Sequence, residues 1–272
     1  MDITSLINAE TDMEKLRKTA LNQLNTLYNS FLNVSYKSEV LEFMLENLTP
    51  DVKFDCSKEP DASIVITGKN EENETSFKAL LYSIKQNSAG ISCEVITVQN
   101  NINEALSKAK GRCIYLMSSN MFVSSGYLAE ILNIMDKNGD IGIAGSKKLD
   151  IDGSIIDCGA DVTDAGGIKY AGAGENAGFL DDKDFIERGF ITGGGCLFRR
   201  ADLEKIGGLS AELPFFYQSA ELSLKLKRSL GLKTVCVPKS KIYYFKDFYS
   251  FDTQDAEKFK QPFLSLYRES NS

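Results

Sequence analysis

CIYLMSSNMFVSSGYL, residues 113–128, carries the pattern from which the architecture of this chain can be inferred. Its first five residues are apolar and predict a buried strand, which the small polar trio Ser118-Ser119-Asn120 ends abruptly. A second apolar run and then a helical pattern follow. Ligands of open α/β sheets bind beyond the carboxyl ends of the strands. We therefore expect a ligand site at this polar trio.

The composition favours a soluble globular protein and argues against nucleic acid as a partner. The 272 residues suffice for one large domain, or for one domain with an appendage. The formal net charge is −7 and no basic run occurs, whereas binding to a phosphate backbone requires clustered Lys and Arg. No apolar run approaches the roughly 20 residues of a transmembrane helix, and the N-terminus lacks the features of a signal peptide. These observations predict a cytoplasmic protein without a transmembrane segment.

Cysteine and histidine usage excludes several kinds of site. The six cysteines are scattered, form no C-x-x-C pair and lie mostly in apolar runs, so neither disulfides nor a zinc site are expected. There is no histidine, which removes the commonest general base and the commonest transition-metal ligand. Ser-His-Asp and Cys-His mechanisms are therefore excluded.

The N-terminal part predicts a helical appendage over residues 1–50. Apolar residues recur there at spacings of three and four, over residues 13–31 and again over 40–48. Such a helical hairpin would serve oligomerisation or docking to another protein, or would pack on the chain's own main domain. Residues 51–60 are expected to form a linker and residues 251–272 a C-terminal helix or tail.

Between residues 61 and 250, strand and helix patterns alternate with short loops. Apolar runs predict strands at 62–66, 93–98, 113–117 and 141–144. This alternation predicts a parallel α/β sheet with right-handed connections.

From residue 147 the pattern changes. An Asp-Gly turn predicts a hairpin over 149–156. A Gly- and Ala-rich excursion follows, and then a strand over 190–200 that opens with three glycines. A helix over 220–230 and a strand over 234–237, ending at Pro238, complete the pattern.

Six segments between residues 62 and 245 stand in a recognisable order. They are ASIVITGKNEE, EVITVQNN…NEALSKAKGRCIYLMSSNMFVSSGYL, IGIAGSKKLDIDGSIIDCGA, ITGGGCLFRRADLEKIGGL, PFFYQSAELSLKLKRSLGLK and VPKSKIYYF. In this order and spacing they resemble family 2 glycosyltransferases of the GT-A fold, especially the rhamnosyltransferase-like branch. The resemblance implies an α/β, Rossmann-like nucleotide-diphospho-sugar transferase domain over residues 61–250.

Such enzymes transfer a sugar from a nucleotide diphosphate to an acceptor hydroxyl, here a glycan or a protein-linked acceptor. The family uses Mg²⁺ or Mn²⁺, held by carboxylates, to neutralise the diphosphate. A further carboxylate takes the proton from the acceptor hydroxyl. The resemblance therefore implies a nucleotide sugar as the ligand.

Carried over residue by residue, the resemblance places the nucleotide-binding groups at the ends of the first three strands: Thr67, Lys69, Asn70, Glu71, Gln99, Ser118 and Asn120. Gln99 stands where the family has a base-binding aspartate. The metal-binding Asp-x-Asp falls on Ser118-Ser119-Asn120, whose neutral side chains are weak ligands for a hard cation. We assign no metal ligand to this chain.

The catalytic positions are also substituted. The family's Glu-Asp-x-Asp falls on Gln218-Ser219-Ala220-Glu221, so Ser219 occupies the position of the base and Glu221 is the one remaining candidate base. A metal-side histidine of the family matches Tyr243 or Tyr244. The resemblance places the donor and acceptor pocket at Gly193, Gly194 and Arg199.

Two hypotheses follow. The chain is a transferase that works without a metal, in which Lys69, Arg199 or Arg200 neutralises the diphosphate and Glu221 acts as base. Alternatively, it is a non-catalytic scaffold of the same fold that binds a glycan or a partner protein. The simpler interpretations are that the two arginines form a solvated strand end and that Glu221 is a favourable acid in a helix N-terminus. An acidic patch could hold a displaced metal or form a solvated loop: Asp181, Asp182, Asp184 and Glu187.

Overall fold

The structure is a computed structural model, and it describes residues 54, 59–68, 74–98, 102–163, 167–210, 213–244, 263–268 and 270. The predicted appendage over residues 1–50 lies outside the described residues. Most of the predicted linker and most of the C-terminal tail also lie outside them.

A mixed nine-stranded sheet forms the centre of the described chain, in the order β2-β1-β3-β10-β5-β11-β4, with β6 paired to β5 and β9 to β11. Its strands are β1 (Ala62–Thr67), β2 (Cys93–Val98), β3 (Cys113–Ser118), β4 (Met121–Val123), β5 (Ile141–Leu149), β6 (Ile155–Asp157), β9 (Ile186–Glu187), β10 (Cys196–Arg199) and β11 (Lys233–Tyr244). A separate two-stranded sheet pairs β7 (Ala160–Val162) with β8 (Ile168–Tyr170).

Helices cover both faces of the large sheet. They are α1 (Glu74–Asn87), α2 (Ile102–Lys108), α3 (Tyr127–Lys137), α4 (Arg200–Lys205) and α5 (Phe215–Leu230). One face packs Ile64, Ile66 and Tyr115 against apolar residues of α1 and α3. The other face packs Val65 and Ile114 against α2 and α5. Side chains alternate between the faces of a strand, so a continuous apolar run such as ASIVI fills both layers.

The sequence pattern predicted a parallel sheet, but the observed sheet is mixed. β1 is parallel to β2 and β3, and β5 is parallel to β11, but β10 is antiparallel to both β3 and β5. Parallel neighbours require a crossover, usually through a helix. β10 instead follows the long excursion after β5, in which the described residues contain no helix.

The antiparallel insertion of β10 places several strand ends together. Because β10 opposes both of its neighbours, β3 and β5 run in the same direction. The ends of β1, β3, β5 and β11 therefore meet the start of β10 at one edge of the sheet. We call this edge, from Thr67 and Ser118 to residues 193–195 and Tyr244, the carboxyl edge.

Several predicted boundaries are wrong, and each error has a physical reason. β11 does not end at Pro238 but continues to Tyr244, because a register shift between Val237 and Lys241 accommodates the proline. The strand predicted over 190–200 is confined to β10, because Gly193, Gly194 and Gly195 all adopt positive φ. The Asp-Gly hairpin between β5 and β6 is confirmed.

Arg199 stabilises the opposite, amino edge of the sheet. It pairs with Cys113 at the first residue of β3. Its guanidinium donates to the carbonyls of Ile141 (2.6 Å), Met135 (2.6 Å) and Asn138 (3.1 Å). These carbonyls end α3 and begin β5, and such helix-terminal carbonyls need external donors.

We expect Arg199→Met to lower the free energy of unfolding by about 2–3 kcal/mol, because three carbonyls lose a charged donor. The control is Arg200→Met, since Arg200 pairs with the exposed Glu204 at 3.4 Å, and a much smaller loss is expected. Urea unfolding measures both. Equal losses in the two variants would contradict a specific role for Arg199.

Candidate functional site at the carboxyl edge

The turn after β1 is bound to the polar trio after β3. Thr67 lies opposite Ser118 in the sheet. The amide of Ser119 donates to the carbonyl of Thr67 (2.9 Å), and the Ser119 hydroxyl donates to the carbonyl of Gly68 (2.8 Å). Thr67 and Ser118 are half-buried and Gly68 is exposed. The structure therefore brings Thr67 and the trio together at a solvent-accessible edge.

The side chains of Ser118 and Asn120 are hydrogen-bonded to each other. The Ser118 hydroxyl donates to Asn120 Oδ1 at 2.6 Å. Both side chains are neutral, whereas Mg²⁺ and related hard cations take carboxylate oxygens. Within the described part of the chain, no three Cys, Asp or Glu side chains cluster as metal ligands would. The residues present at this position do not fit the metal that the family uses.

A turn of three glycines precedes β10. Gly193, Gly194 and Gly195 have φ of 52°, 79° and 63°, a region that favours glycine. A Cβ on Gly195 would collide with Ile242, and one on Gly194 with the ring of Phe215. The turn therefore excludes side chains because of both backbone conformation and space.

All three amides of the glycine turn point into the protein. Gly193 donates to the carbonyl of Phe216 (3.2 Å) and Gly195 to that of Leu116 (2.8 Å). Gly194 donates to the Ser219 hydroxyl (3.0 Å). These amides are therefore used within the fold and do not form an anion-binding cradle.

Ser219, which the resemblance places at the family's base position, contacts this turn from the helix α5. It is fully buried, and its hydroxyl also accepts a weak hydrogen bond from the Cys196 thiol at 3.8 Å. Burial raises the pKa of that thiol to about 11. Ser219 thus stabilises the glycine turn.

Glu221 is buried and fully engaged. Its carboxylate accepts from the amide of Ser210 (3.0 Å) and from the Ser210 hydroxyl (2.5 Å), and it pairs with Lys225 (3.0 Å). Residues two apart on a helix point in nearly opposite directions, so Ser219 and Glu221 of α5 do not converge. Glu221 stabilises the segment that follows the helix α4.

A buried ionic cluster lies beneath the glycine turn, and the sequence analysis missed it. The Lys148 ammonium contacts both Asp157 oxygens (2.9 and 3.1 Å) and the Thr192 hydroxyl (3.1 Å). The Thr192 hydroxyl in turn donates to Asp157 at 2.9 Å. Lys148, Asp157 and Thr192 are all fully buried. Consecutive lysines in an apolar strand, with an aspartate across the Asp-Gly hairpin, were the pattern that could have revealed it.

Tyr244 holds the glycine turn from the other side. Its hydroxyl donates to the carbonyl of Gly193 at 2.5 Å. Burial raises the pKa of Tyr244 well above its ordinary value, so the phenol remains a neutral donor. Tyr244 is one of the two tyrosines, with Tyr243, that the resemblance sets against the family's histidine, and it makes a structural hydrogen bond here.

The acidic patch is neutralised by lysines rather than arranged for a metal. Asp181 pairs with Lys147 (2.6 Å) and with Lys241 (2.5 Å). Asp184 pairs with Lys239 at 2.9 Å. The hydrogen bond from Lys239 lowers the pKa of the Asp184 carboxyl. The patch therefore fastens the excursion to β5 and β11.

The remaining predicted site residues fall into two groups. Lys69, Asn70, Glu71 and Gln99 lie outside the described residues. Arg199 lies at the amino edge, at the other end of β3 from Ser118, so the structure does not bring it to the carboxyl edge.

Comparisons with known proteins identify the architecture. A scan against protein-family models found no match to this sequence, and a search of curated proteins found none either. Solved structures do match. A crystal structure of GalNAc-T7 with UDP, GalNAc and Mn²⁺ has 14% identity and a TM-score of 0.55, over 79% of this chain and 53% of that one. The chain has the GT-A glycosyltransferase fold.

Two further structures share this GT-A fold. The mannosyltransferase PcManGT from Pyrobaculum calidifontis, in complex with GDP-Man and Mn²⁺, has 12% identity and a TM-score of 0.50, over 95% of this chain and 80% of that one. TarS of S. aureus has 11% identity and a TM-score of 0.52, over 76% and 39%. The chain spans about half the length of the GalNAc-T7 structure. The expected α/β GT-A fold is confirmed.

Among the described residues, no helix is long and apolar enough to cross a membrane.

We expect Asp157→Ala to lower the free energy of unfolding by about 3–5 kcal/mol, because it leaves the buried Lys148 charge unpaired. The double variant Lys148→Met with Asp157→Leu removes both charges and should recover most of that loss. Urea unfolding provides the measurement.

The matched control is Asp184→Ala, which breaks an exposed pair with Lys239 and should leave the stability essentially unchanged. If the double variant were no more stable than Asp157→Ala, the cluster would owe its effect to packing rather than to a paired charge.

Proposed function

We propose that this chain binds a nucleotide-diphosphate sugar at its carboxyl edge and transfers the sugar to a glycan or protein-linked acceptor without a divalent metal. The observation that carries the proposal is the GT-A fold, whose carboxyl edge gathers Thr67, the trio Ser118-Ser119-Asn120 and the glycine turn. Ligands of α/β sheets bind at such an edge.

The neighbouring structures support the class of donor. GalNAc-T7 was solved with UDP and PcManGT with GDP-Man, each with Mn²⁺. These ligands belong to those proteins. We propose the same class of donor here, and membership of the rhamnosyltransferase-like branch of family 2, on the order of the six segments in the sequence.

The absence of a carboxylate pair at residues 118–120 underlies the metal-free part of the proposal. A diphosphate still needs a positive partner. The Arg199 guanidinium is bound to carbonyls at the amino edge. Arg200 follows it at that edge and pairs with Glu204. Lys69 is therefore our candidate, since it follows the exposed Gly68 in the sequence. Asn70, Glu71 and Gln99 are proposed to contact the nucleotide.

A second candidate function is a non-catalytic scaffold that binds a glycan or a partner protein. The observation that favours it is that Ser219 and Glu221, the two candidate positions for the base, are both engaged in structural hydrogen bonds. Ser219 accepts from Gly194, and Glu221 accepts from Ser210 and pairs with Lys225. Glu221 would have to leave these partners to take a proton from an acceptor. We further propose that residues 1–50 serve oligomerisation or docking.

We expect calorimetric titration to show binding of UDP or dTDP with a dissociation constant that changes less than about twofold when manganese is added. The reason is that Ser118 and Asn120 offer only neutral oxygens, already hydrogen-bonded to each other. The corresponding nucleoside monophosphates are the control, and they should bind more weakly because they lack the second phosphate.

If manganese lowered the dissociation constant of the nucleotide tenfold or more, the proposal of a metal-free site would be overturned. Failure of every nucleotide to bind would remove the donor-binding proposal. Release of UDP from a UDP-sugar by the wild-type chain, lost in a Glu221→Gln variant that still binds UDP, would favour the transferase, whereas binding without release would favour the scaffold.

We expect the double variant Ser118→Asp with Asn120→Asp to acquire manganese-dependent nucleotide binding, because it restores two carboxylates at the end of β3. The same titration measures it. The control variant, Ser107→Asp with Asn176→Asp, adds the same charge at two exposed positions and should show no manganese dependence. If both double variants behaved alike, the trio would not stand at a metal position.

A further inference from the structure

Two cysteines belong to one small buried cluster that plays no part in the candidate site. Cys158 and Cys236 are both fully buried and free of disulfides, and they form a small cluster with Ala171, against which Leu180 packs. The cluster holds both sulfur atoms away from solvent.

The backbone fixes this thiol pair in place. Cys236, on β11, lies opposite Ile186 of β9. Two residues later, Arg188 Nε donates to the carbonyl of Cys158 (2.9 Å), and the Arg188 amide donates to the carbonyl of Thr234 (2.9 Å). The same short segment therefore holds both cysteines.

The two thiols are electronically different. The hydrogen bond with Cys236 lowers the pKa of the Cys158 thiol, and the Arg188 guanidinium adds to this effect. Burial raises the pKa of Cys236 well above its ordinary value. Arg188 also lies against Cys158, since its Nε donates to the Cys158 carbonyl at 2.9 Å, and a nearby positive charge favours the thiolate, which is the nucleophilic form of cysteine. Cys158 is therefore the thiol that reacts first, and Cys236 is the one that attacks second.

Leu180 covers the pair and has a strained backbone. Its φ of 67° is the only positive value of a non-glycine residue in the described chain, and a β-carbon makes this conformation costly. The segment around it is exposed at Gly178 and Phe179. Displacement of this strained cover would expose the buried thiols to a small oxidant.

We propose that Cys158 and Cys236 form a dithiol pair that hydrogen peroxide oxidises to a disulfide. The Cys158 thiolate attacks one peroxide oxygen and breaks the O–O bond, which gives a sulfenic acid and, after proton uptake, one water. The Cys236 thiol then attacks the sulfenic sulfur, and the second water leaves as the disulfide forms. Peroxide gains two electrons and the two thiols lose two.

This disulfide would join β11 to the residue that follows β6. Cys158 comes directly after Asp157, which holds Lys148 and Thr192 beneath the glycine turn. A change in the oxidation state of Cys158 would therefore act on the neighbouring Asp157, which belongs to the cluster that supports the carboxyl edge. The inference does not depend on whether that edge binds a nucleotide sugar.

The test is peroxide treatment of the full chain, followed by thiol counting under denaturing conditions and by peptide mass spectrometry. We expect loss of two of the six thiols, a linked pair of peptides containing residues 158 and 236, and reversal by dithiothreitol. The oxidised chain should also unfold at a temperature higher by on the order of 5 °C, because the bond closes a long loop.

Three cysteine variants assign the roles. In Cys236→Ser, oxidation of Cys158 should stop at the sulfenic acid, which dimedone traps. In Cys158→Ser, neither disulfide nor adduct should form at residue 236. The matched control is Cys196→Ser, because Cys196 is equally buried and its nearest polar partner is the Ser219 hydroxyl. This variant should form the disulfide as the wild type does.

The cover is tested by rate. Leu180→Ala should accelerate disulfide formation severalfold, whereas Leu213→Ala, at a leucine that packs against the main core, should not. Retention of all six thiols in peroxide, or a disulfide between other cysteines, would overturn the proposal. Thiol counting in the wild type decides this point even if a variant fails to fold.

Discussion

The buried ion pair between Lys148 and Asp157 is the interaction on which the carboxyl edge depends. An unpaired charge in a protein interior is very costly, so each of these residues requires the other. Their contacts with Thr192 fix the residue that immediately precedes the glycine turn. The turn then directs β10 between β3 and β5, antiparallel to both. Without that placement, the ends of β3 and β5 would not meet at one edge.

The carboxyl edge itself carries neutral side chains at the positions that a metal-dependent site would need. Where the resemblance places carboxylates, this chain has groups that satisfy one another: Ser118 with Asn120, and Ser219 with Gly194. The charged groups Lys148 and Asp157 lie beneath this edge, where both side chains are buried away from solvent. Hydrogen-bonded neutral groups at the surface and a paired charge beneath make a stable edge. Under the proposed function, the positive charge for the diphosphate would come from elsewhere in the chain.

Much of the fold could be predicted from the sequence because local patterns determine it. The β-branched run of β1 and the Asp-Gly turn after β5 identify their structures with no knowledge of the partners. The end of β11 was wrongly predicted at Pro238, because the effect of this proline depends on a register shift relative to β5. The structural role of Arg199 could not be predicted for a similar reason, since it depends on carbonyls about 60 residues away along the chain, at 135–141.

The candidate site was only partly predictable. The polar trio after β3 and the neutral residue at position 219 are visible as substitutions in a recognisable order of segments. That Ser219 stabilises a glycine turn, and that Lys148 pairs with Asp157, depends on contacts between segments far apart in sequence. Residue identity alone therefore reveals that the carboxylates are missing, but not which contacts replace them.

A crystal structure with UDP and manganese chloride would test the central claim most directly, because manganese is visible by its anomalous scattering. The account predicts the diphosphate beside Gly68 and the trio Ser118-Ser119-Asn120, with no manganese signal between the phosphates and the protein. A manganese peak bridging Asn120 and the diphosphate, or a nucleotide bound elsewhere, would contradict it.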